Sequence, residues 1–450
     1  MKVAVVGGGI SGLAAAWELR EAADATLFEP GPLGGCIRTT PFNGKPIDEG
    51  ADSFITRVPE AVNLCRQLGI ESELVAPSAG RTLLWWNGRL RRIPDGLVLG
   101  VPSQLPSLVT SGILSPRGLA RAALDLVLPS RRSPDGLTVR ELVAERFGYE
   151  VADRLVDPLV GSIHAGWTGQ LGAAEVVPQL VAAAEQSRSL MRALRRNGTA
   201  FGEPLFLAPQ MGMGRLVSKL VDRLNKSGTT FVPHAVHSIQ ASDSGIVVEP
   251  MGECFDAMVL ATPARAAGEV LGKACPDVKS QLTQVPTASV ALVTVAIRGI
   301  DLPREVNGFL VPRETGGLLT ACSFGSNKWP HWAGADHSVV RLSTGRYGDE
   351  AALELDDEEL SGRLIEELSE AVGSTVIPVD VRVSRWSNTF PQYLPGHATT
   401  IARVEKSLER QLPVMALGGS SYGGIGIPAC IASGKSAARL ALHRAKSLAK

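Results

Sequence analysis

The start of the chain alternates between strand-like and helix-like patterns. Residues 2–6, KVAVV, and residues 25–28, ATLF, are short apolar runs typical of strands buried in a parallel sheet. Residues 13–19, between them, are rich in alanine and contain no helix breaker, so they predict a helix. The order strand, helix, strand predicts a βαβ unit at the beginning of the chain.

Glycines connect the first strand to this helix in the pattern G-x-G-x-x-G. Gly7 would form a tight turn, Gly9 would let a pyrophosphate approach the backbone, and Gly12 would let helix and strand pack closely. The helix N-terminus offers N–H groups to a phosphate, and Glu29 is placed to bind a ribose hydroxyl. We therefore predict a dinucleotide site, with a glycine-rich turn that binds nothing as the alternative.

Later segments carry further patterns. Residues 81–93 predict a hairpin that turns at Asn87 and Gly88, and residues 137–160 predict one helix. Residues 229–239 predict a strand, which returns the chain to an α/β pattern and indicates a discontinuous nucleotide-binding domain. Residues 285–345 contain several β-branched apolar runs, typical of an antiparallel sheet.

Composition narrows the classes of function. The 450 residues suggest two or three domains, and 45 basic against 45 acidic residues argue against nucleic acid as the main partner. The six cysteines form no C-x-x-C pair and no zinc-type spacing with histidine, so we expect reduced thiols, a cytoplasmic protein and no metal site. We expect no signal segment, because the first strand begins at residue 2.

An uncharged stretch and a basic hairpin remain to be explained. Residues 96–116 are as long as a membrane span but are interrupted by Pro102 and Pro106, so we expect peripheral membrane contact at most, or a substrate channel. Arg81 and Arg89 of the hairpin could recognise a substrate carboxylate. The alternative is a solvated basic face.

Four motifs resemble those of one flavoprotein group. They are L-G-G-x-I-R-T at 33–39, D-E-G-x-x-S-F at 48–54, W-x-x-x-x-P-Q-Y-x-x-G-H at 386–397, and G-x-x-Y-x-G-I-G-I-P at 419–428. Together with the opening fingerprint, they resemble the FAD-dependent porphyrinogen oxidases of the flavin amine oxidase superfamily. The resemblance spans nearly the whole chain.

The resemblance implies an α/β fold. A Rossmann-like FAD-binding domain would be combined with a substrate domain built on a mixed or antiparallel sheet, and with a helical insert. We expect FAD-binding segments at 1–78, 205–270 and 399–450, substrate-domain segments at 79–95 and 271–398, and the insert at 96–204.

The fingerprint and the resemblance together imply the residues that hold non-covalent FAD. They are Gly7, Gly9, Ile10, Ser11, Gly12, Glu29, Gly35, Cys36, Arg38, Gly50, Ala51, Asp52, Ser53, Val236, Trp386, Ser420, Ile425, Gly426 and Ile427. We name no catalytic side chain, because hydride transfer to a flavin depends on orientation and a dry site.

The activity implied is oxidation of coproporphyrinogen III to coproporphyrin III in haem biosynthesis. Oxygen would be the acceptor, and three two-electron steps would form H2O2. A downstream ferrochelatase is a candidate partner. The alternatives are a protoporphyrinogen IX oxidase, an amine oxidase or carotenoid desaturase-like enzyme, and a non-catalytic FAD-binding protein.

Overall fold

The computed structural model describes residues 1–78, 80–128, 134–196, 204–242, 245–300, 302–334 and 336–448. The predicted domain segments also include residues outside these ranges, namely 79, 129–133, 197–203, 243–244, 301, 335, 449 and 450.

A parallel sheet forms the first layer. Val3 to Val6 pair with Ala25 to Phe28 on one side and with Ala257 to Leu260 on the other, and they are almost completely buried. Within the described ranges the strand order is Thr230–Val232, Asp24–Phe28, Lys2–Val6, Ala257–Leu260, Met415–Leu417. The strands come from the beginning, the middle and the end of the chain, and the predicted βαβ unit is confirmed.

Helices cover both faces of this sheet. Their bounds are Ile10–Leu19, Glu60–Leu68, Gly214–Lys226, Ala264–Leu271, Pro276–Thr283, His397–Gln411, Ser420–Gly423 and Ile427–Leu448. The last helix crosses the first at very short range, because a Cβ on Gly434 would lie 2.0 Å from the Ser11 carbonyl oxygen. The C-terminal segment is thereby fixed beside the start of the first helix.

A larger, mainly antiparallel sheet forms the second layer. Its described strands run in the order Ile377–Pro391, Thr287–Arg298, Ser338–Thr344, Leu319–Ser323, Val306–Leu310, Arg81–Trp86, Arg89–Arg92. Val306–Leu310 and Arg81–Trp86 are parallel to each other, and the other neighbours are antiparallel. One face packs on helix Asp357–Val372 through Leu360, Leu364 and Leu368. The predicted mixed α/β fold class is confirmed.

The predicted hairpin is confirmed. Asn87 and Gly88 have φ of 51° and 67°, as a type I′ turn requires. The strand predicted over residues 229–239 is wrong as one element, since Thr230–Val232 joins the parallel sheet while Ser238–Ser242 joins Gly245–Glu249 and Glu253–Phe255 in a separate sheet.

Smaller strands and helices complete the described ranges. Short sheets pair Thr39–Phe42 with Lys45–Asp48, Leu97–Val98 with Val101–Pro102, and Phe206–Pro209 with Phe54–Ile55 and Leu74–Val75. The insert helices are Pro106–Ser111, Pro116–Ala123, Val139–Phe147, Tyr149–Val151, Ser162–His164, Ala173–Val176, Pro178–Gln186 and Leu190–Arg196. Helix Gly325–Lys328 and the 3₁₀ turns Glu71–Glu73, Leu124–Leu126, Arg313–Thr315, Pro330–Trp332 and Ala351–Glu354 lie between strands or helices.

The insert does not contain the single helix predicted over residues 137–160. Gly148, with φ of 88°, ends helix Val139–Phe147. A ten-residue π-helix, Ala152–Gly161, then contains Pro158. Proline has no N–H for the α-helical hydrogen bond and its ring clashes with the preceding turn, which disfavours a regular α-helix here. No described helix is both long and apolar enough to cross a bilayer.

A buried ion cluster joins the two layers. Asp52, 6% exposed, accepts hydrogen bonds from Lys328 Nζ at 2.9 Å and Trp329 Nε1 at 3.2 Å, and Arg341 Nη2 lies 3.1 Å away. Burial opposes ionisation of Asp52, but Lys328 and Arg341 outweigh it and hold its pKa well below the usual range. Arg341 also donates to the Gly50 carbonyl at 2.7 Å.

Asp52→Asn should destabilise the junction between the layers. It leaves Lys328 and Arg341 without their buried counter-charge, so we expect the free energy of unfolding at pH 7 to fall by about 3–5 kcal/mol. Because the folded-state pKa of Asp52 is depressed, its contribution is present at neutral pH and fades as the pH falls below about 4. Urea unfolding at pH 7 and under acid conditions measures both effects.

The matched control is Asp336→Asn, which removes an exposed partner of Arg298. It should leave the unfolding midpoint unchanged. Equal midpoints for wild type and Asp52→Asn at pH 7 would contradict the role given to Asp52.

Candidate functional site

The glycine turn after the first strand has the shape that a dinucleotide needs. Gly7 has φ of 107°, and a Cβ there would lie 2.6 Å from the Ala261 carbonyl oxygen. A Cβ on Gly12 would lie 1.8 Å from the Gly7 carbonyl oxygen, whereas a Cβ on Gly9 would meet nothing within 4 Å. Two glycines therefore permit close packing, and the third leaves open space at a helix N-terminus, which fits a pyrophosphate.

Glu29 stabilises this turn directly. Its Oε2 accepts from the Gly8 N–H at 2.7 Å and its Oε1 from the Gly31 N–H at 2.8 Å. Each carboxylate oxygen keeps a further lone pair, so a ribose contact stays a prediction. Val236, one of the residues predicted to hold FAD, is buried four residues after Val232, whose carbonyl accepts from the Glu29 N–H at 3.1 Å.

The next predicted residues continue along the same backbone edge. The Gly34 N–H donates to the Gly8 carbonyl at 2.8 Å, and a Cβ on Gly35 would lie 3.4 Å from the Gly9 Cα. A Cβ on Gly50 would lie only 2.4 Å from the Cys36 carbonyl oxygen. The structure therefore brings the fingerprint, the Gly35–Cys36 turn and the loop at Gly50 together.

Trp386 reaches this loop from the second sheet. Its Nε1 donates to the Glu49 carbonyl at 3.1 Å, and the Arg38 guanidinium lies 5.5 Å from its ring centroid. Arg38 also lies 3.8 Å from the Glu49 carboxylate. A cleft of about 240 Å³ is lined by Arg38, Glu49, Arg382 and Trp386. The predicted contacts of Arg38 and Trp386 with the cofactor are sterically open and stay predictions.

Within the segment 50–53, the side chain of Asp52 points to Lys328 and Arg341 of the second layer. Ser53 Oγ donates to Asp52 Oδ1 at 3.0 Å. The Asp52 carboxylate already has protein partners. It stays a prediction that the backbone of residues 50–53 contacts the cofactor.

The C-terminal loop that carries Ser420 and Ile425 is held by two residues named only as part of a motif. Tyr393 OH donates to the Ser420 carbonyl and accepts from the Gly424 N–H at 3.0 Å. His397, stacked on Tyr393 with centroids 4.5 Å apart, lies 2.9 Å from the Ser421 carbonyl. Burial raises the pKa of Tyr393 and lowers that of His397, so neither is charged at pH 7. In the sequence, the only indication of this role for Tyr393 and His397 is that both belong to the motif P-Q-Y-x-x-G-H.

The end of that loop opens the last helix. Ile425 and Gly426 precede Ile427, the first residue of helix Ile427–Leu448. Its first N–H groups have no partner within the helix and can serve a ligand. Ser11 lies near the same loop, since a Cβ on Gly419 would be 3.8 Å from Ser11 Oγ.

A row of half-buried side chains lies on the second sheet beside the loop at Gly50, and we call the space over this row the gap. Leu292, Ser343 and Ala321 are direct neighbours across three strands, and each is only half-buried, whereas the residues on either side of Leu292 and Ser343 are buried. On one side of them Arg341 contacts the loop at Gly50, and on the other side Leu310 packs against the helical insert. The row therefore lies between a contact with the nucleotide-binding layer at Arg341 and a contact with the insert at Leu310.

The structure does not bring Arg81 and Arg89 together. Strand alternation places Arg81 on the face of Leu83 and Trp85, which pack toward helix Asp357–Val372. Arg89 pairs with Trp86 and lies on the opposite face. Both arginines are exposed, and their contact with substrate stays a prediction.

Comparisons with known proteins agree with this arrangement. A family model described as flavin containing amine oxidoreductase matches residues 10–442. The chain is 36% identical to the coproporphyrinogen III oxidase of Mycobacterium leprae, with 95% of both chains covered, and 26% identical to the protoporphyrinogen oxidase of Bos taurus, with 97% of both covered. A crystal structure from an Exiguobacterium species, described as a candidate protoporphyrinogen oxidase, has a TM-score of 0.88 at 30% identity and covers 97% of this chain and 98% of that chain.

Gly9→Ala should separate cofactor binding from folding. The added methyl meets no protein atom, and Gly9 already has φ of −68°, so the unfolding midpoint of the cofactor-free protein should not change. The methyl would occupy the space left for the pyrophosphate, so we expect FAD affinity to fall about tenfold or more. Fluorescence titration with FAD and thermal unfolding without FAD measure the two quantities.

Gly12→Ala is the matched comparison, because its methyl collides with the Gly7 carbonyl and should lower both stability and FAD affinity. Unchanged FAD affinity in Gly9→Ala would show that the cofactor does not cross this turn.

Proposed function

The chain belongs to the family of flavin-containing amine oxidoreductases and uses FAD, and from this premise we propose that it oxidises coproporphyrinogen III to coproporphyrin III. The observation that carries the proposal is the gap over Leu292, Ser343 and Ala321, which adjoins the edge formed by Gly50 and Trp386. A porphyrinogen macrocycle placed on that sheet face would lie next to the predicted flavin position.

The residues of the chain supply position and exclusion of water. Leu292 and Ala321 offer an apolar floor, and the insert closes the gap beyond Leu310. Arg341 fixes the loop at Gly50 through its carbonyl, and Tyr393 and His397 fix the loop at Ser420. Fixed orientation in a water-poor space is what hydride transfer requires. FAD, when bound, supplies the hydride acceptor and returns the electrons to O2.

The overall reaction balances without further reagents. Conversion of a porphyrinogen to a porphyrin removes six electrons and six hydrogen atoms, so three O2 become three H2O2. The gap must therefore hold the macrocycle, or readmit it, through three rounds.

The substrate choice is part of the proposal. The mycobacterial relative, named for coproporphyrinogen III, is more similar to this chain than the bovine relative, named for protoporphyrinogen, and this supports the coproporphyrinogen substrate. A ferrochelatase that receives the product is the downstream partner that this function calls for. The cytoplasmic location, expected from the reduced cysteines, also stays a proposal.

Purified FAD-loaded protein should oxidise coproporphyrinogen III in air with a higher kcat/KM than protoporphyrinogen IX. Porphyrin fluorescence measures the products, and a peroxide assay should find three H2O2 per porphyrin. A higher kcat/KM for protoporphyrinogen IX would show that protoporphyrinogen IX, the alternative, is the substrate. No porphyrin from either, with FAD bound, would reject the proposal and direct the assay to amines and carotenoids.

A further inference from the structure

Arg313 has fewer close partners than its burial calls for. It begins the short turn Arg313–Thr315, and its side chain is 28% exposed. Its nearest acceptor is the Gly166 carbonyl, 3.4 Å from Nη2, and the Asp157 and Asp349 carboxylates each lie 4.0 Å away. Its Nε is buried and donates to no protein atom.

Other arginines near the gap are paired much more closely. Arg341 donates to the Gly50 carbonyl at 2.7 Å, and Arg154 donates to Glu150 at 2.7 Å. Arg346, beside Arg313, lies 3.1 Å from Asp349. Removing a guanidinium from water without giving it hydrogen-bond partners costs free energy. An anionic ligand that bound Arg313 would offset this cost.

The charges around Arg313 do not saturate it. Burial lowers its pKa and the positive charge of Arg346 lowers it further. Asp349 pairs with Arg346, while Asp157 Oδ1 accepts from the N–H and the hydroxyl of Thr168 at 2.9 Å and 2.7 Å. An incoming carboxylate would therefore complete the coordination of Arg313 without displacing a strong ion pair.

The guanidinium lies on the side of the sheet that faces the gap. Arg313 follows strand Val306–Leu310, and its contacts with Gly166 and Asp157 belong to the helical insert. Leu310, on the same side, pairs with Ala321, and Ala321 pairs with Ser343 in the half-exposed row. The sheet floor thus leads from the cofactor edge to this arginine.

A second buried polar atom is unpaired at the same place. Gln392 is 1% exposed, and its Nε2 donates to the carbonyls of His164 and Phe390. These two acceptors fix the orientation of the amide, so its Oε1 is the atom without a partner. A Cβ on Gly166 would lie 2.6 Å from that oxygen, which places it beside the carbonyl-bearing turn that Arg313 contacts.

We propose that Arg313 binds a carboxylate of the substrate at the insert end of the gap, with Arg346 as the neighbouring cation. The proposal rests on the proposed function, because the propionate groups of a porphyrinogen supply the carboxylate. A planar guanidinium binds a carboxylate through two parallel hydrogen bonds, which fixes the orientation of the macrocycle as well as its affinity. Arg313 is thus a specificity residue and takes the place first expected for Arg81.

The test compares Arg313→Gln with wild type on ligands with and without charged carboxylates. We expect Arg313→Gln to raise the KM for coproporphyrinogen III, and the Kd for coproporphyrin III, about tenfold or more through loss of a charge-assisted hydrogen bond. The Kd for coproporphyrin III tetramethyl ester should not change, and kcat should remain within a few-fold. Arg313→Lys should recover part of the loss as a point charge.

The matched control is Arg298→Gln, at the opposite end of the same sheet, where the arginine pairs with exposed Asp336. It should leave KM, Kd and kcat unchanged. Equal loss of affinity for acid and ester in Arg313→Gln, or a lower melting temperature with unchanged Kd, would show that Arg313 only supports the Gly166 turn. If wild type oxidises the porphyrinogen and Arg313→Gln has the same KM, the inference about Arg313 is wrong and the proposed function still stands. A wild type that neither binds nor oxidises porphyrins would overturn the proposed function with it.

Discussion

The spacing between the two layers depends on one buried carboxylate. Asp52 leaves the loop of the nucleotide-binding layer and is held by Lys328, Trp329 and Arg341 of the second layer. Since Arg341 also binds the Gly50 carbonyl, the same arginine joins the loop at Gly50 to strand Ser338–Thr344 of the second sheet. Ser343 of the gap lies on the same strand, two residues after Arg341, so this contact is next to the gap.

The chemistry asked of the site suits that construction. Hydride transfer needs the donor carbon and the acceptor at a fixed separation and orientation in a space with little water. The sheet supplies a floor of small and apolar side chains, and the insert covers its far end. Charged groups occur where the layers join and where the substrate carboxylates would bind. The side chains of Tyr393 and His397 fix the loop at Ser420, and burial lowers the pKa of His397 and raises that of Tyr393.

Local features were predictable from the sequence, and distant partnerships were not. The roles of Gly7 and Gly12 follow from spacing within a few residues, and the turn at Asn87 and Gly88 was equally readable. Two of the three partners of Asp52 in the second layer, Lys328 and Trp329, lie 276 and 277 positions away along the chain, so the sequence pattern of the loop does not predict them. Gly148 and Pro158 are helix-breaking residues that the sequence shows directly. The prediction of one helix over residues 137–160 gave more weight to the helical pattern on either side of them. The face of Arg81 could have been derived from alternation with Leu83 and Trp85.

The most direct measurement is anaerobic mixing of coproporphyrinogen III with the FAD-loaded protein while the visible flavin absorbance is followed. The account predicts that the absorbance bleaches without oxygen and returns when air is admitted, with coproporphyrin fluorescence growing over three rounds. Flavin absorbance that remains unchanged with the porphyrinogen but is bleached by dithionite would contradict the central claim and would leave a flavoprotein with another substrate.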